Sequence, residues 1–195
     1  MPIDAKQVAE LRAQTGAGMM DAKKALEESG GDLTKAVEAL REKGMAKAAK
    51  KSDRATNEGR VHAYLHPTGK LGAMVEVLCE TDFVARNEAF IEFCNDLAMH
   101  VSAAEPLYLT REEVPEDMVE KEKSMFRKEM EAQAKPADVI EKIIEGKMSK
   151  WYSEIVLLEQ PFVKDEDVTI QEFVTSKIAS LGENMQLKRF ARFSI

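Results

Sequence analysis

Few residue types of the kind that build metal clusters, disulfide frameworks or membrane spans occur in these 195 residues: there are two cysteines, three histidines and one tryptophan. Cys79 falls in a predicted strand and Cys94 in a predicted helix, so both read as small buried hydrophobes, with no disulfide expected in a reducing compartment. Two cysteines at this spacing with three scattered histidines make no metal signature. No apolar stretch approaches membrane-spanning length, and Met1-Pro2-Ile3-Asp4 lacks the basic start and apolar run of a secretory signal. The expected location is therefore cytoplasmic, or a compartment reached after removal of a presequence.

Catalytic machinery is also missing. An enzyme of this size should show a nucleophile with its base, paired acids or a phosphate loop. Thr15-Gly16-Ala17-Gly18 has neither a preceding strand nor the Lys-Ser/Thr ending that a nucleotide loop requires. His62 and His66 share one face of an exposed strand and lack a third ligand, so they read as surface residues. His100 reads as the end of a helix, where its proton would favour the terminal carbonyls. No acid–base pair, cofactor or metal site is expected, and the chain reads as a protein that acts on another protein rather than as an enzyme.

The net charge is −7, unevenly spread. Residues 1–54 carry 11 basic against 9 acidic side chains, and residues 55–110 carry 3 against 8. An acidic centre argues against nucleic acid as the main partner, because phosphate binding is driven by counterion release at basic surfaces. Lys43, Lys47, Lys50, Lys51 and Arg54 read as the solvated face of a linker helix.

What is present is an ordered set of helix and strand signals, giving an α+β fold. Asp4 caps a first helix that ends at Gly16-Ala17-Gly18; a second runs from about Met19 to Gly30-Gly31. Asp32 caps a third with Leu33, Ala36, Val37 and Leu40 on one face and Gly44 as terminator. Residues 1–44 thus form a three-helix module with a small core, and 45–58 a linker. Residues 59–110 read as a β-β-α unit: Val61, Ala63 and Leu65 share a face, Pro67-Thr68-Gly69-Lys70 turns, and residues 71–79 return as an apolar strand. Phe90, Cys94, Leu97, Ala98 and Val101 then line one face of a helix. Residues 111–150 read as a projecting helical hairpin whose second arm restarts at Pro136, with methionines as core filler. In 151–195, residues 154–158 resume sheet-forming sequence and Thr169 with Glu172 makes a capping box. Residues 187–193 form a last strand, completing a small antiparallel sheet backed by helices.

One segment offers more than a turn needs. Thr81-Asp82-Phe83-Val84-Ala85-Arg86-Asn87 stands where the apolar strand gives way to the helix, and it puts a carboxylate beside a large aromatic. An aromatic loop tip is a common anchor for a partner's pocket. The plainer alternative has Asp82 capping the helix and Phe83 folded back into the core.

Leu11-Arg12, Thr15-Gly16-Ala17-Gly18-Met19-Met20-Asp21 and Lys23-Lys24-Ala25-Leu26 together resemble the N-terminal signature of the elongation factor Ts family. Thr81 to Asn87 resembles its second signature. Met99-His100-Val101, Glu145-Gly146 with Met148, and Gln160-Pro161-Phe162-Val163 match further motifs in the same order, so the resemblance covers nearly the whole chain. It implies a guanine-nucleotide exchange factor for elongation factor Tu, with a ubiquitin-associated-like N-terminal module and a coiled-coil-like hairpin. It further implies that Arg12, Met19 and Met20 grip the partner's nucleotide-binding domain. Phe83 then intrudes near the partner's magnesium site beside Thr81, Asp82 and Val84, with Leu71, Gly72 and His100 as further contacts. Longer members carry two related halves, whereas this chain holds both contact sets in one shortened half. A homodimer follows as the expectation, with an interface on the sheet and residues 187–193. Two other classes remain: a ubiquitin-associated-type or RNA-binding adaptor that keeps the N-terminal module without exchange activity, and a small-molecule enzyme with a pocket near His100.

Overall fold

The computed structural model describes residues 3–131 and 137–195. Helix α1 (Ala5–Thr15) starts at Asp4, whose side chain accepts from the Lys6 N–H inside a capping box closed by Gln7, and stops at Gly16 in the left-handed conformation. Helix α2 (Met19–Glu28) follows, and Asp32 caps α3 (Leu33–Ala49) through the Lys35 N–H. Val8, Leu11, Ala22, Ala25, Leu26 and Ala36 form a core of their own.

Gly44 does not terminate α3. The helix runs through it to Ala49, because Met45-Ala46-Lys47-Ala48-Ala49 propagates well and α3 packs against α8 (Ile170–Leu181). A Cβ built on Gly44 would lie 3.7 Å from the Ala179 Cβ, which is ordinary contact. The expected boundary at residue 44 therefore falls inside a continuous helix.

Strands β1 (Glu58–Leu65), β2 (Leu71–Cys79) and β5 (Met185–Ser194) form an antiparallel sheet in the order β1-β2-β5. Ala73, Val75, Val77 and Cys79 of β2 point inward, against α5 (Glu88–Ala104) with Phe90, Phe93, Cys94, Leu97, Ala98 and Val101. A bulge opposite Glu76 and Val77 lets β5 turn Leu187 and then Phe190 to the same inner side. Val61, Ala63 and Leu65 share a face as expected, but it is the outer one, and the inner positions of β1 go to His62 and Tyr64. His62 is therefore not a free surface residue: it is half-buried, with Nε2 3.4 Å from Asn95 Oδ1 on α5.

Helices α6 (Glu116–Glu131) and α7 (Ala137–Ile155) form the expected hairpin around Met130, Ile140, Ile144 and Met148, while Met125 faces solvent. The expected restart at Pro136 lies outside the described residues. Residues 154–158 are not a strand. Helix α7 continues through Ile155, a 3-10 turn covers Leu157–Glu159, and only a single bridge joins Val156 to Tyr108. The hairpin's helical momentum, carried by the Val156 N–H on the Tyr152 carbonyl, overrides the β-propensity of Ile155 and Val156. A short hairpin of β3 (Pro161–Phe162) and β4 (Asp165–Thr169) leads into α8, whose Thr169–Glu172 capping box is formed as read from sequence. Among the described residues no helix is long and apolar enough to cross a membrane.

Candidate functional site

Residues 81–87 follow the C-terminal end of β2 and make a single helical turn, α4 (Asp82–Ala85). Its direction is set at both ends. Thr81 caps the turn, its hydroxyl accepting from the Val84 N–H, and Ala85 and Val84 pack on the main core. Asn87 caps α5 through the Ala89 N–H. Thr81 rather than Asp82 is thus the cap, and Asp82 is left half-exposed with Arg86 3.2 Å away. Phe83 projects into solvent with 83% of its surface exposed. An aromatic side chain of that size forgoes about 1.5–3 kcal/mol of burial by standing there, so the alternative in which it folds back into the core does not hold.

The base of the turn is held from across the fold. Glu183, just before β5, accepts the Glu80 and Thr81 N–H groups at 3.1 and 3.0 Å and the Thr81 hydroxyl at 2.6 Å. Glu80 returns the arrangement by accepting the Asn184 N–H at 2.6 Å. Sequence reading missed these residues, because nothing in Gly182-Glu183-Asn184 signals a partner 102 positions away.

A second exposed set lies on the three-helix module. Met19 and Met20 are 54% and 73% exposed at the start of α2, and Arg12 on α1 donates from Nε to the Ala17 carbonyl at 3.2 Å, pinning the intervening corner. Asp21 beneath them bonds Lys43 at 2.7 Å and Lys47 at 2.8 Å on α3. These two ammonium groups hold its carboxyl well below the usual range, at about 2. Two members of the basic cluster are therefore engaged in fixing the module.

The remaining expected contacts fall elsewhere. Leu71 and Gly72 open β2, partly buried, with Gly72 so close to its neighbour that a Cβ would sit 2.8 Å from the Tyr64 carbonyl oxygen. They stand at the opposite end of β2 from the Thr81 turn, and the strand between spans about 26 Å at the usual rise per residue. His100 is not at a helix end: α5 runs four residues further to Ala104, and the imidazole is fully buried. Its Nε2 lies 3.0 Å from Gln160 Oε1, which can only accept, and its Nδ1 accepts the Val163 N–H at 3.3 Å. That pattern fixes the neutral tautomer, and burial lowers the pKa from its ordinary value. Its side chain presents no surface to a partner. Instead it joins the Met99-His100-Val101 and Gln160-Pro161-Phe162-Val163 segments, with Gln160 Nε2 donating to the Ala104 and Glu154 carbonyls.

Cys79 and Cys94 are buried and free, as read, and desolvation raises their thiols to about 11 and about 12. A cleft of about 480 Å³ opens between the α1–α2 corner, α3 and α8, and His100 is not among its walls. Among the described residues no group of three His, Cys, Asp or Glu side chains could hold a metal ion.

Residues 4–195 match the family model described as Elongation factor TS. The chain is 56% identical to "Elongation factor Ts" of Geobacter sulfurreducens over 99% of its own length and 89% of that protein. It is 55% identical to the Citrifermentans bemidjiense protein of the same name at the same coverage. It is 53% identical to that of Fervidobacterium nodosum, over 100% of this chain and 99% of the other.

Proposed function

The chain belongs to the elongation factor Ts family, and on that premise we propose that it is a guanine-nucleotide exchange factor that releases GDP from elongation factor Tu during translation elongation. No covalent chemistry is needed. GDP is held by phosphate, magnesium and backbone contacts that demand one arrangement of the partner's loops. A wedge that binds better to the arrangement lacking those contacts weakens GDP, and by linkage GDP weakens the wedge to the same degree. The factor speeds nucleotide release in both directions and leaves the final equilibrium to the nucleotide pool. Such work fits the cytoplasm, with a protein and not a nucleic acid as the partner.

Phe83 is the wedge in this reading, with Asp82 beside it, and the observation that carries the proposal is its 83% exposure on a turn braced at both ends. Truncating an aromatic hot spot costs about 2–4 kcal/mol, equivalent to about 30- to 900-fold in affinity or rate. The exposed Met19 and Met20 with Arg12 support a grip on the nucleotide-binding domain, with the three N-terminal helices acting as a ubiquitin-associated-like module. Thr81 and Val84 serve by setting the turn, and His100 by setting the strand-to-loop segment at Val163.

A homodimer, expected from the family resemblance, is part of the same proposal. Val61 and Leu65 of β1, Met74 of β2 and Phe193 of β5 are exposed on the outer face of the sheet. Met74 pairs with Ala63 and Ala191, and Gly72 with Leu65 and Phe193, so these side chains form one patch across all three strands. A second copy packed there would bring its own Phe83 turn within an assembly whose Leu71–Gly72 end is otherwise remote. Light scattering that gives only monomer at micromolar concentration would remove this part of the proposal.

The deciding experiment is stopped-flow release of a fluorescent GDP analogue from elongation factor Tu. Acceleration by the chain that falls steeply in Phe83→Ala supports both activity and wedge. Acceleration that survives the substitution keeps the activity and moves the mechanism to the contacts around Leu71 and Gly72. The absence of acceleration with a matched partner overturns the proposal.

A further inference from the structure

Three stretches of chain far apart in sequence converge at the foot of the Phe83 turn. Glu183 Oε2 accepts two successive backbone N–H groups, from Glu80 and Thr81, while Oε1 takes the Thr81 hydroxyl at 2.6 Å. Asn184 donates its N–H to Glu80 Oε1 and its side-chain amide to the Ser52 and Arg54 carbonyls, at 3.1 and 2.8 Å. Arg54 lies 3.5 Å from the same Glu80 carboxylate. The connector that follows α3, the end of β2 and the start of β5 are thereby tied into one knot. The Cys79 thiol adds a further bond to the Thr81 carbonyl at 3.2 Å.

We propose that Glu183 is the positioning residue of the exchange wedge, acting through Thr81 and Glu80 to hold the α4 turn at the angle from which Phe83 enters the partner. This rests on the reading of Phe83 as the wedge. Two acidic side chains, Glu80 and Glu183, are brought close here, which is unfavourable unless each carboxylate is engaged. Each one is, by backbone N–H donors from the opposite strand end. Without Glu183 the segment from Glu80 to Asn87 retains its helical turn, the packing of Val84 and Ala85 and the Glu80–Asn184 bond, but loses the three hydrogen bonds that fix the Glu80 and Thr81 N–H groups and the Thr81 hydroxyl at the root of the turn. A wedge working against a partner's loops must be stiff, because a loop that has to be ordered on binding spends interaction energy on that ordering. A looser turn still docks, but populates the intruding orientation less often.

The test is nucleotide release from elongation factor Tu as a function of factor concentration, which separates the plateau rate from the half-saturating concentration. Glu183→Ala is expected to lower the plateau about tenfold, the size of one charge-assisted hydrogen bond lost from a preorganised loop, and to move half-saturation by less than about threefold. Glu183→Gln, whose remaining oxygen can still accept both N–H groups, is expected to recover the plateau to within about threefold of wild type. In a Phe83→Ala background, Glu183→Ala should add nothing, because both act through one side chain. A purely structural role would instead add its loss in both backgrounds. A plateau for Glu183→Ala within about twofold of wild type, or additive losses in the double variant, overturns the proposal. Where the alanine variant does not fold, Glu183→Asp, which withdraws the carboxylate by one methylene, is measured in the same way. Amide exchange of Glu80 and Thr81 in the free chain makes the two readings separable. If the wild type fails to accelerate release, the exchange function and the wedge fall together, and with them the positioning role. In that case lost amide protection in Glu183→Ala still shows that the tether is real. If release is accelerated but protection is unchanged, the positioning role alone falls.

Discussion

Phe83 and Phe93 lie ten positions apart and make opposite predictions when cut back to alanine. Phe93 is fully buried, with ring centroids 6.1 Å from Phe90 and 5.3 Å from Phe173, so its truncation opens a cavity in the main core. The expected cost is about 3–5 kcal/mol, which for a chain of this size lowers Tm by about 6–20 °C. Phe83 keeps only about a sixth of its surface covered. At about 1.5–3 kcal/mol for complete burial, the loss is at most about 0.5 kcal/mol. Alanine's better helix propensity in α4 offsets about the same amount. Phe83→Ala should therefore shift Tm by no more than about 1–2 °C.

Activity should follow the reverse order. Phe83→Ala is expected to slow GDP release from elongation factor Tu by about 30-fold or more. Phe93→Ala, measured well below its own melting temperature, should stay within about threefold of wild type. Thermal unfolding by circular dichroism and stopped-flow release on the same preparations give both axes. A fall in Tm beyond about 5 °C for Phe83→Ala would mean that the ring is packed in solution rather than projecting from the turn. Equal loss of release in both variants would mean that the core, and not the projecting ring, carries the effect.

Other consequences are as direct. Burial lowers the His100 pKa below 6.5, so between the two values the unfolded chain binds the extra proton and stability rises with pH. The urea midpoint should fall from about pH 7.5 to about pH 5.5, and part of that fall should vanish in His100→Gln; an unchanged slope would refute the assignment. Gly44→Ala should raise stability by about 0.5–1 kcal/mol, because Gly44 lies inside α3 and the new methyl meets Ala179 at ordinary distance; a lower Tm would refute that placement. Cys79 and Cys94, with thiols raised to about 11 and about 12, should resist a thiol reagent at neutral pH until the chain unfolds; fast labelling of the native protein would contradict their burial.

Local signals in the sequence are sound wherever a local device decides the outcome. Asp4, Asp32 and Thr169 cap the helices that the sequence assigns to them, and Phe90, Cys94, Leu97, Ala98 and Val101 are all buried on one face of α5. Where tertiary packing decides, the sequence misleads. Gly44 looks like a stop because glycine often ends a helix, but the fit of α3 on α8 carries the helix past it. Val61, Ala63 and Leu65 share a face as the alternation says, but the alternation does not tell which side that face takes, and His62, which looks like a surface residue, is turned inward with Tyr64. An apolar stripe on the outer face of a sheet is legible only once its partner strands are known.

The same distinction governs the site. Phe83 is visible because a large aromatic in a strand-to-helix turn is out of place by itself, whereas Glu183 and Asn184 are ordinary residues whose meaning lies wholly in what they touch. His100 shows the converse, since its match to a contact position conceals a buried neutral imidazole tying two segments together. Strand β2 sets the geometry of the rest: it presents Leu71 and Gly72 at one end and launches the Phe83 turn from the other, about 26 Å away. A single wedge side chain spans only a fraction of that length. If both ends meet the same nucleotide-binding domain, they must do so across a broad footprint or from two chains. The exposed apolar patch of Val61, Leu65, Met74 and Phe193 supplies a physical reason for the second.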